Sequence, residues 1–176
     1  MKKLLLLRHA KSDRDADIED FDRPLNARGR KAAPKVAAAM RARLYIPDRA
    51  LVSPAQRTQE TWQLMAPEFA VSRPDTEFIE GLYLASAGHL LNFIRQLAPE
   101  VQTPIVVAHN PGIEDLAARL PGENQTASGE EALKRLKRKY PTCALTVFTL
   151  AITSWSELGP GVGTIVEFLT PSSLDG

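Results

Sequence analysis

Two short apolar runs stop at a histidine, and this repeated pattern constrains the chain more than any other feature. Leu4–Leu7 is followed by Arg8-His9, and Ile105–Ala108 is followed by His109. A short continuous apolar run bounded by polar residues is the pattern of a strand buried on both faces. Strands of that kind belong to parallel sheets covered by helices, where sites form at the carboxyl ends of the strands. The two histidines are therefore expected on one edge of one sheet.

The rest of the chain alternates in the same way. Asn26 can cap a helix running to about Leu44, with Pro34 predicting a kink or a late start. Arg49–Val52 is a short strand, and Pro54 suits the first turn of a helix through Met65. Glu77–Ile79 is a further strand. Ser86 can cap a helix to Leu97, with Leu90, Leu91, Ile94 and Leu97 on one face. After His109 a helix runs to Leu120, Gly122–Gly129 is a polar loop, and Glu130–Lys139 a basic helix. Ala144–Leu150 and Thr164–Leu169 are late strands around a turn at Gly159–Gly163, candidates for antiparallel neighbours. The expected fold is α/β: a three-layer α/β/α sandwich on a mostly parallel sheet. With 176 residues, residues 1–176 are expected to form a single domain.

Composition excludes several classes. Lys plus Arg is 22 and Asp plus Glu 21, a net charge of +1, with no general attraction to nucleic acid or an anionic membrane. A single cysteine, Cys143, cannot form an internal disulfide; it is expected to be a small buried residue. The start, MKKLLLLRHAKS, resembles that of a signal peptide, but Arg8 ends its apolar run after four residues where about 7–15 are needed. A cytoplasmic protein is expected. No metal motif is apparent, and no cofactor is expected. The loop Asp13–Pro24 carries six acidic residues but lacks the glycine and terminal glutamate of a calcium loop; it is expected to be a solvated flap. The run Lys134–Lys139 is the one local basic patch, ordinarily a solvated helix face and functionally a dock for an acidic partner or nucleic acid.

The strand ends gather more than histidines. SPAQRTQET delivers Arg57 after Val52, and Glu80 follows the next strand. Two histidines, two arginines and a carboxylate fit phosphoryl transfer. A neutral imidazole can attack phosphorus and hold it as phosphohistidine. Guanidinium groups match phosphoryl oxygens in a bidentate way, and a protonated second histidine can bind another oxygen. Each residue alone has an ordinary reading as a strand-end histidine, a solvated arginine or a surface carboxylate. Their shared position at strand ends of one polarity is what carries the argument.

LLLLRHAKS, DRPLNARG, VSPAQRTQET and VVAHNPG, in that order, resemble the motifs of the histidine phosphatase superfamily, and among them the small SixA-type phosphohistidine phosphatases. The resemblance runs from Lys3 to about Leu120. It implies a phosphoglycerate-mutase-like fold, a phosphohistidine intermediate and no metal. It implies that Arg8 and Arg57 bind phosphate, that His9 is the nucleophile and that His109 is the second histidine of the pocket. Where the larger superfamily has an acid for the leaving oxygen, Glu80 stands at about the same place; SixA-type enzymes need that acid less. Ala10 replaces the glycine of the usual Arg-His-Gly, which would strain a turn requiring positive φ. Lys11, Ser12 and Arg23 are further candidates for phosphate contacts, with solvated loop residues as the plain reading. The implied substrate is phosphohistidine on a protein, such as a histidine phosphotransfer domain, because only about twenty residues separate Glu80 from the strand before His109, too few for a cap domain. A small phosphorylated metabolite, or a catalytically idle module that binds a phosphorylated partner, are the competing readings.

Overall fold

The computed structural model of the chain describes residues 1–15 and 17–175; Ala16, within the acidic loop, lies outside them. Among the described residues six strands form one sheet: β1 (Lys2–Arg8), β2 (Arg49–Val52), β3 (Asp75–Phe78), β4 (Pro104–Ala108), β5 (Leu145–Leu150) and β6 (Gly163–Leu169). Their order across the sheet is β3-β2-β4-β1-β5-β6. β1 pairs in parallel with β4, as β2 does with both β3 and β4, whereas β5 runs antiparallel to β1 and to β6. Only β5 is reversed, so the expected mostly parallel sheet with an antiparallel late pair is what forms.

Strand alternation divides the apolar residues between two cores. Leu5, Leu7, Val52 and Val107 face α1 (Ala27–Ala42) and α2 (Gln56–Met65), which contribute Val36, Met40, Trp62 and Met65. Leu4, Leu6, Val106 and Phe148 face the other layer, α3 (Ala87–Arg95), α4 (Gly112–Arg119) and α5 (Ala127–Arg138), through Leu90, Ile94, Leu116 and Leu136. The three-layer sandwich follows from that division. The chain leaves β1 toward one edge over one face, and β4 continues toward the other edge over the opposite face. The crevice where those directions diverge lies between the ends of β1 and β4, the place where α/β sheets bind ligands.

Several boundaries differ from expectation. α1 starts directly after Asn26, whose side chain accepts from the Gly29 amide at 2.9 Å, and it runs unbroken across Pro34; buried Ala33, Val36, Ala37 and Met40 hold it on the sheet against the lost hydrogen bond. α2 begins after Pro54, with Ala55 as its cap. α5 starts three residues early because Thr126 caps it, accepting from the Gly129 amide at 3.0 Å. β3 lies two residues earlier than its expected start and is exposed throughout, a charged edge strand with no apolar alternation to mark it. Lys2 is 3% exposed: its ammonium donates to the Pro99 and Val101 carbonyls at 2.7 and 3.0 Å and lies 5.3 Å from the Trp155 ring centre. Among the described residues no helix is long and apolar enough to cross a membrane.

Gly29 has a packing role that a helix residue rarely has. A Cβ there would lie 2.1 Å from the Lys11 carbonyl oxygen. Alanine would gain up to about 1 kcal/mol of helix propensity, but displacing backbone in a packed site costs about 1–3 kcal/mol. Gly29→Ala should therefore lower stability, by up to about 2 kcal/mol on those figures, in urea denaturation; an unchanged or raised midpoint would show that the Lys11 segment yields freely.

Candidate active site

The register that sets Arg8 beside Ala108 makes His9 and His109 neighbours. The His9 amide donates to the Ala108 carbonyl at 3.1 Å, and the two imidazole centres lie 5.4 Å apart. β2 continues alongside, its next residue Ser53 donating its amide to Val107 at 3.0 Å. Ser53 Oγ lies 2.7 Å from His109 Nε2. α2 then presents Arg57 and Thr61 one turn apart on the same face. Both are buried, and Thr61 Oγ1 accepts from the Ala10 amide at 3.0 Å while donating to the Arg57 carbonyl at 2.7 Å. One helix thus holds a guanidinium and pins the loop that follows His9.

The hydrogen bonding of His9 fixes its tautomer. Nδ1 lies 2.7 Å from the Ala10 carbonyl oxygen. A carbonyl can only accept, so Nδ1 carries the proton and Nε2 of the neutral ring keeps its lone pair. Burial holds the His9 pKa down to about 3, reinforced by His109, Arg57 and Arg8. Burial likewise lowers His109 to about 3, with Arg57 adding to the effect. The arginines add to the lowering at His9, but desolvation leads. His109, expected to bind an oxygen as a cation, is neutral here. Arginine cannot shed its charge in this way, so the crevice combines two neutral rings with two fixed cations.

Arg8 Nη1 donates to the Tyr140 carbonyl at 2.9 Å, and burial lowers its pKa while Glu114 opposes the shift. Among the described residues Arg8 Nε, Arg57 Nε and His109 Nδ1 are buried without a hydrogen-bond partner. Such groups are costly to bury alone, and the two arginine Nε donors in one crevice mark a place suited to an acceptor-rich ligand. Arg57 also meets the acidic loop. Its Nη1 donates to the Asp20 carbonyl at 2.7 Å, and its Nη2 to Asp20 Oδ2 at 3.2 Å. The Tyr83 hydroxyl donates to that same oxygen, and Arg23 binds Oδ1 at 3.0 Å. Led by the Tyr83 bond, these partners lower the Asp20 pKa to about 2, and the Tyr83 phenol is raised in turn, chiefly by burial. The loop expected to be a solvated flap is tied to the crevice by Asp20. Tyr83 packs edge-on against His109 at 5.6 Å, and Phe21 against Tyr83 at 5.0 Å.

The other candidates lie further out. Ser12 is buried and accepts from Arg23 Nη1 at 2.8 Å; Arg23 Nη1 also reaches the Asp13 carbonyl at 2.9 Å. Lys11 is half-buried at the mouth, its carbonyl accepting from the Asn26 amide at 3.0 Å. Glu80 opens the 3-10 turn Glu80–Leu82 and is exposed; three residues on, Tyr83 touches His109. Ala10 is not among the residues with positive φ, so the missing glycine strains nothing. Cys143 is fully buried, its thiol pushed up to about 12, and its amide donates to the Arg8 and His9 carbonyls. Among the described residues no group of three or more His, Cys, Asp and Glu could hold a metal ion. Asp20, Tyr83 and Ser53 escaped the sequence reading, although Ser53 stands inside the quoted SPAQRTQET segment.

The pattern of the histidine phosphatase superfamily (branch 1) matches residues 4–142. An uncharacterized protein of Mycobacterium tuberculosis is 32% identical over 167 residues, 94% of this chain and 99% of that one. An uncharacterized chloroplastic protein of Arabidopsis thaliana is 30% identical over 185 residues, 98% of this chain and 79% of its own length. Among solved structures, a candidate phosphohistidine phosphatase SixA from Agrobacterium tumefaciens matches with a TM-score of 0.78 at 31% identity, covering 97% of this chain and 98% of that one. The protein histidine phosphatase SixA complexed with tungstate shares the fold, with a TM-score of 0.76 at 22% identity over 98% and 99% of the two chains.

The lowered histidine pKa values carry a stability consequence. Between pH 6.5 and about 3 the unfolded chain binds protons at His9 and His109 that the folded chain does not. Stability is therefore fully present above pH 6.5 and falls as pH falls through that window, by up to about 1.4 kcal/mol per pH unit for each histidine. Urea melts of the wild type and of a His9→Asn/His109→Asn variant should show the slope and its flattening, and NMR titration should find both rings neutral at pH 5. Rings that protonate near pH 6.5 would contradict this.

Proposed function

Because the chain belongs to the histidine phosphatase superfamily, and within it to the SixA type, we propose that it is a metal-independent phosphatase that removes phosphate from phosphohistidine on a protein. The observation that carries the reading is the Nδ1–H bond to the Ala10 carbonyl, which leaves Nε2 of His9 as a nucleophile needing no base. In the first step the His9 Nε2–P bond forms and the substrate P–N bond breaks; the substrate imidazole, protonated beforehand on its other ring nitrogen, keeps the electron pair and leaves neutral. His9 then carries both the phosphoryl group and its Nδ1 proton, so the ring is cationic and the Ala10 carbonyl faces that charge. In the second step water attacks phosphorus, the His9 P–N bond breaks, and inorganic phosphate leaves a neutral ring.

In this reading Arg8 and Arg57 neutralise the phosphoryl oxygens, and no metal is required for that charge. Their buried unpartnered Nε groups support the assignment. His109 contributes Nδ1–H once Ser53 donates to its Nε2, and an arriving dianion raises its pKa. Arg23 and Ser12 brace the loop that carries Asp20. Lys11 guards the mouth. Glu80 is not needed, because the substrate imidazole can arrive already protonated on its other nitrogen and leave neutral, whereas an alkoxide leaving group would need an acid. The segment between Glu80 and β4, a turn and α3, sends Tyr83 against His109 but is too short for a cap domain, which favours a substrate histidine on a protein surface over a buried metabolite. We place the reaction in the cytoplasm, where a lone buried thiol such as Cys143 stays reduced.

His9→Ala should abolish turnover and eliminate labelling by a phosphorylated donor, and EDTA should leave the wild type active. Loss of Arg57 should cost on the order of 10³–10⁵ in rate. Glu80→Gln should change phosphohistidine turnover less than about twofold while lowering ester hydrolysis within the 10²–10⁴ range of general acid catalysis. Rapid cleavage of small esters with no activity on any phosphohistidine protein would reject the substrate. Asp20 competes for the Arg57 donors, so Asp20→Asn should strengthen competitive inhibition by inorganic phosphate; weaker inhibition would instead make Asp20 a support for the clamp.

A further inference from the structure

A groove of about 670 Å³ opens beside the crevice, lined by Lys11, Arg28, Lys31, Lys35 and Lys139, with Asp175 as its one acid. Asp175 is already paired with Lys35. The whole chain is nearly neutral, with 22 basic and 21 acidic residues, so this concentration of charge is local. One wall begins at Lys11, two residues after His9. The other runs through Pro141 and Thr142, next to the Cys143 amide that binds the Arg8 and His9 carbonyls. From Lys11 the cations continue along α1, where Arg28, Lys31 and Lys35 follow at helical spacing over about 10 Å.

We infer that this groove docks an acidic surface of the phosphoprotein substrate, carboxylates standing one and two helical turns from its phosphohistidine. The inference rests on the phosphohistidine reading above. Exposure of Arg28, Lys31 and Lys139 suits the diffuse recognition of a protein surface; a small polyanion would call for buried, fixed donors like those in the crevice. The acidic loop selects against nucleic acid. It carries six carboxylates and reaches the crevice at Asp20, so a uniform polyanion lying across the mouth would meet repulsion on that side. A protein with a confined acidic patch can place its carboxylates on α1 and leave a neutral or basic face to the loop.

The test uses two synthetic phosphohistidine peptides of equal length, one with glutamates at the flanking positions and one with glutamines. The wild type should show about tenfold higher kcat/KM on the acidic peptide at low salt, since several exposed pairs act together, and the gap should close as salt rises. Arg28→Glu/Lys31→Glu should erase or invert the preference through KM while turning over a small phosphoramidate within about twofold of wild type, which also reports on folding. Arg28→Gln/Lys31→Gln should fall between. Equal kcat/KM on the two peptides, or a preference that survives charge reversal, would overturn the docking inference and leave the phosphohistidine activity standing. Cleavage of the phosphoramidate with neither peptide touched would overturn the protein substrate, and the docking inference with it.

Discussion

Parallel pairing of β1 with β4, in the register that sets Arg8 opposite Ala108, is the constraint from which the crevice follows. It makes the residue after each strand a neighbour of the other, and both residues are histidine. β2 continues the same ladder on the far side of β4, so Ser53 meets His109 and α2 starts beside them. The side-chain bonds then work mostly through backbone. Thr61 holds the Ala10 amide, the Ala10 carbonyl orients His9, and the Tyr140 carbonyl anchors Arg8 and, at 3.0 Å, Asn110. A one-residue slip of β1 against β4 would turn Leu5 and Leu7 toward the wrong layer, and the two cores oppose such a slip.

The electrostatics follow from the same burial. Desolvation lowers the pKa of Arg8 and of both imidazoles, but only the imidazoles respond by discharging. The guanidinium groups remain cations and satisfy part of their hydrogen-bonding capacity with the Tyr140 and Asp20 carbonyls and the Asp20 carboxylate. One desolvated environment therefore makes a nucleophile of one residue type and an anion clamp of another. Asp20 moderates the clamp, offering Arg57 a partner that can be exchanged for a stronger anion.

Much of this was legible in the sequence because it is local. Apolar runs ending in His9 and His109 mark β1 and β4, and Arg57 in SPAQRTQET sits a few residues beyond β2. β3 starts two residues before its expected place because an exposed edge strand has no core face to print an alternation. The first turn of α5 was hidden by Ala127, Ser128 and Gly129, whose composition suggests a loop and whose helical state depends on Thr126 as cap and on packing against β6. Asp20, Tyr83 and Ser53 were not legible as partners for a different reason. Asp20 meets Tyr83 across 63 positions, and Ser53 meets His109 across 56. Nothing in the local pattern of a loop carboxylate states which turn of the chain will lie above it.

Ala10 gives the crevice its amide and its carbonyl, and its side chain donates and accepts nothing. The position is thus defined by a peptide unit and by a limit on volume, since the residue is wholly enclosed. Glycine and alanine are synonyms there: exchanging them rewrites the letter without altering any atom that His9 or Thr61 touches. A search that demands the letter would pass over chains whose chemistry at this point is identical, whereas one that asks for a small residue after the histidine would retain them.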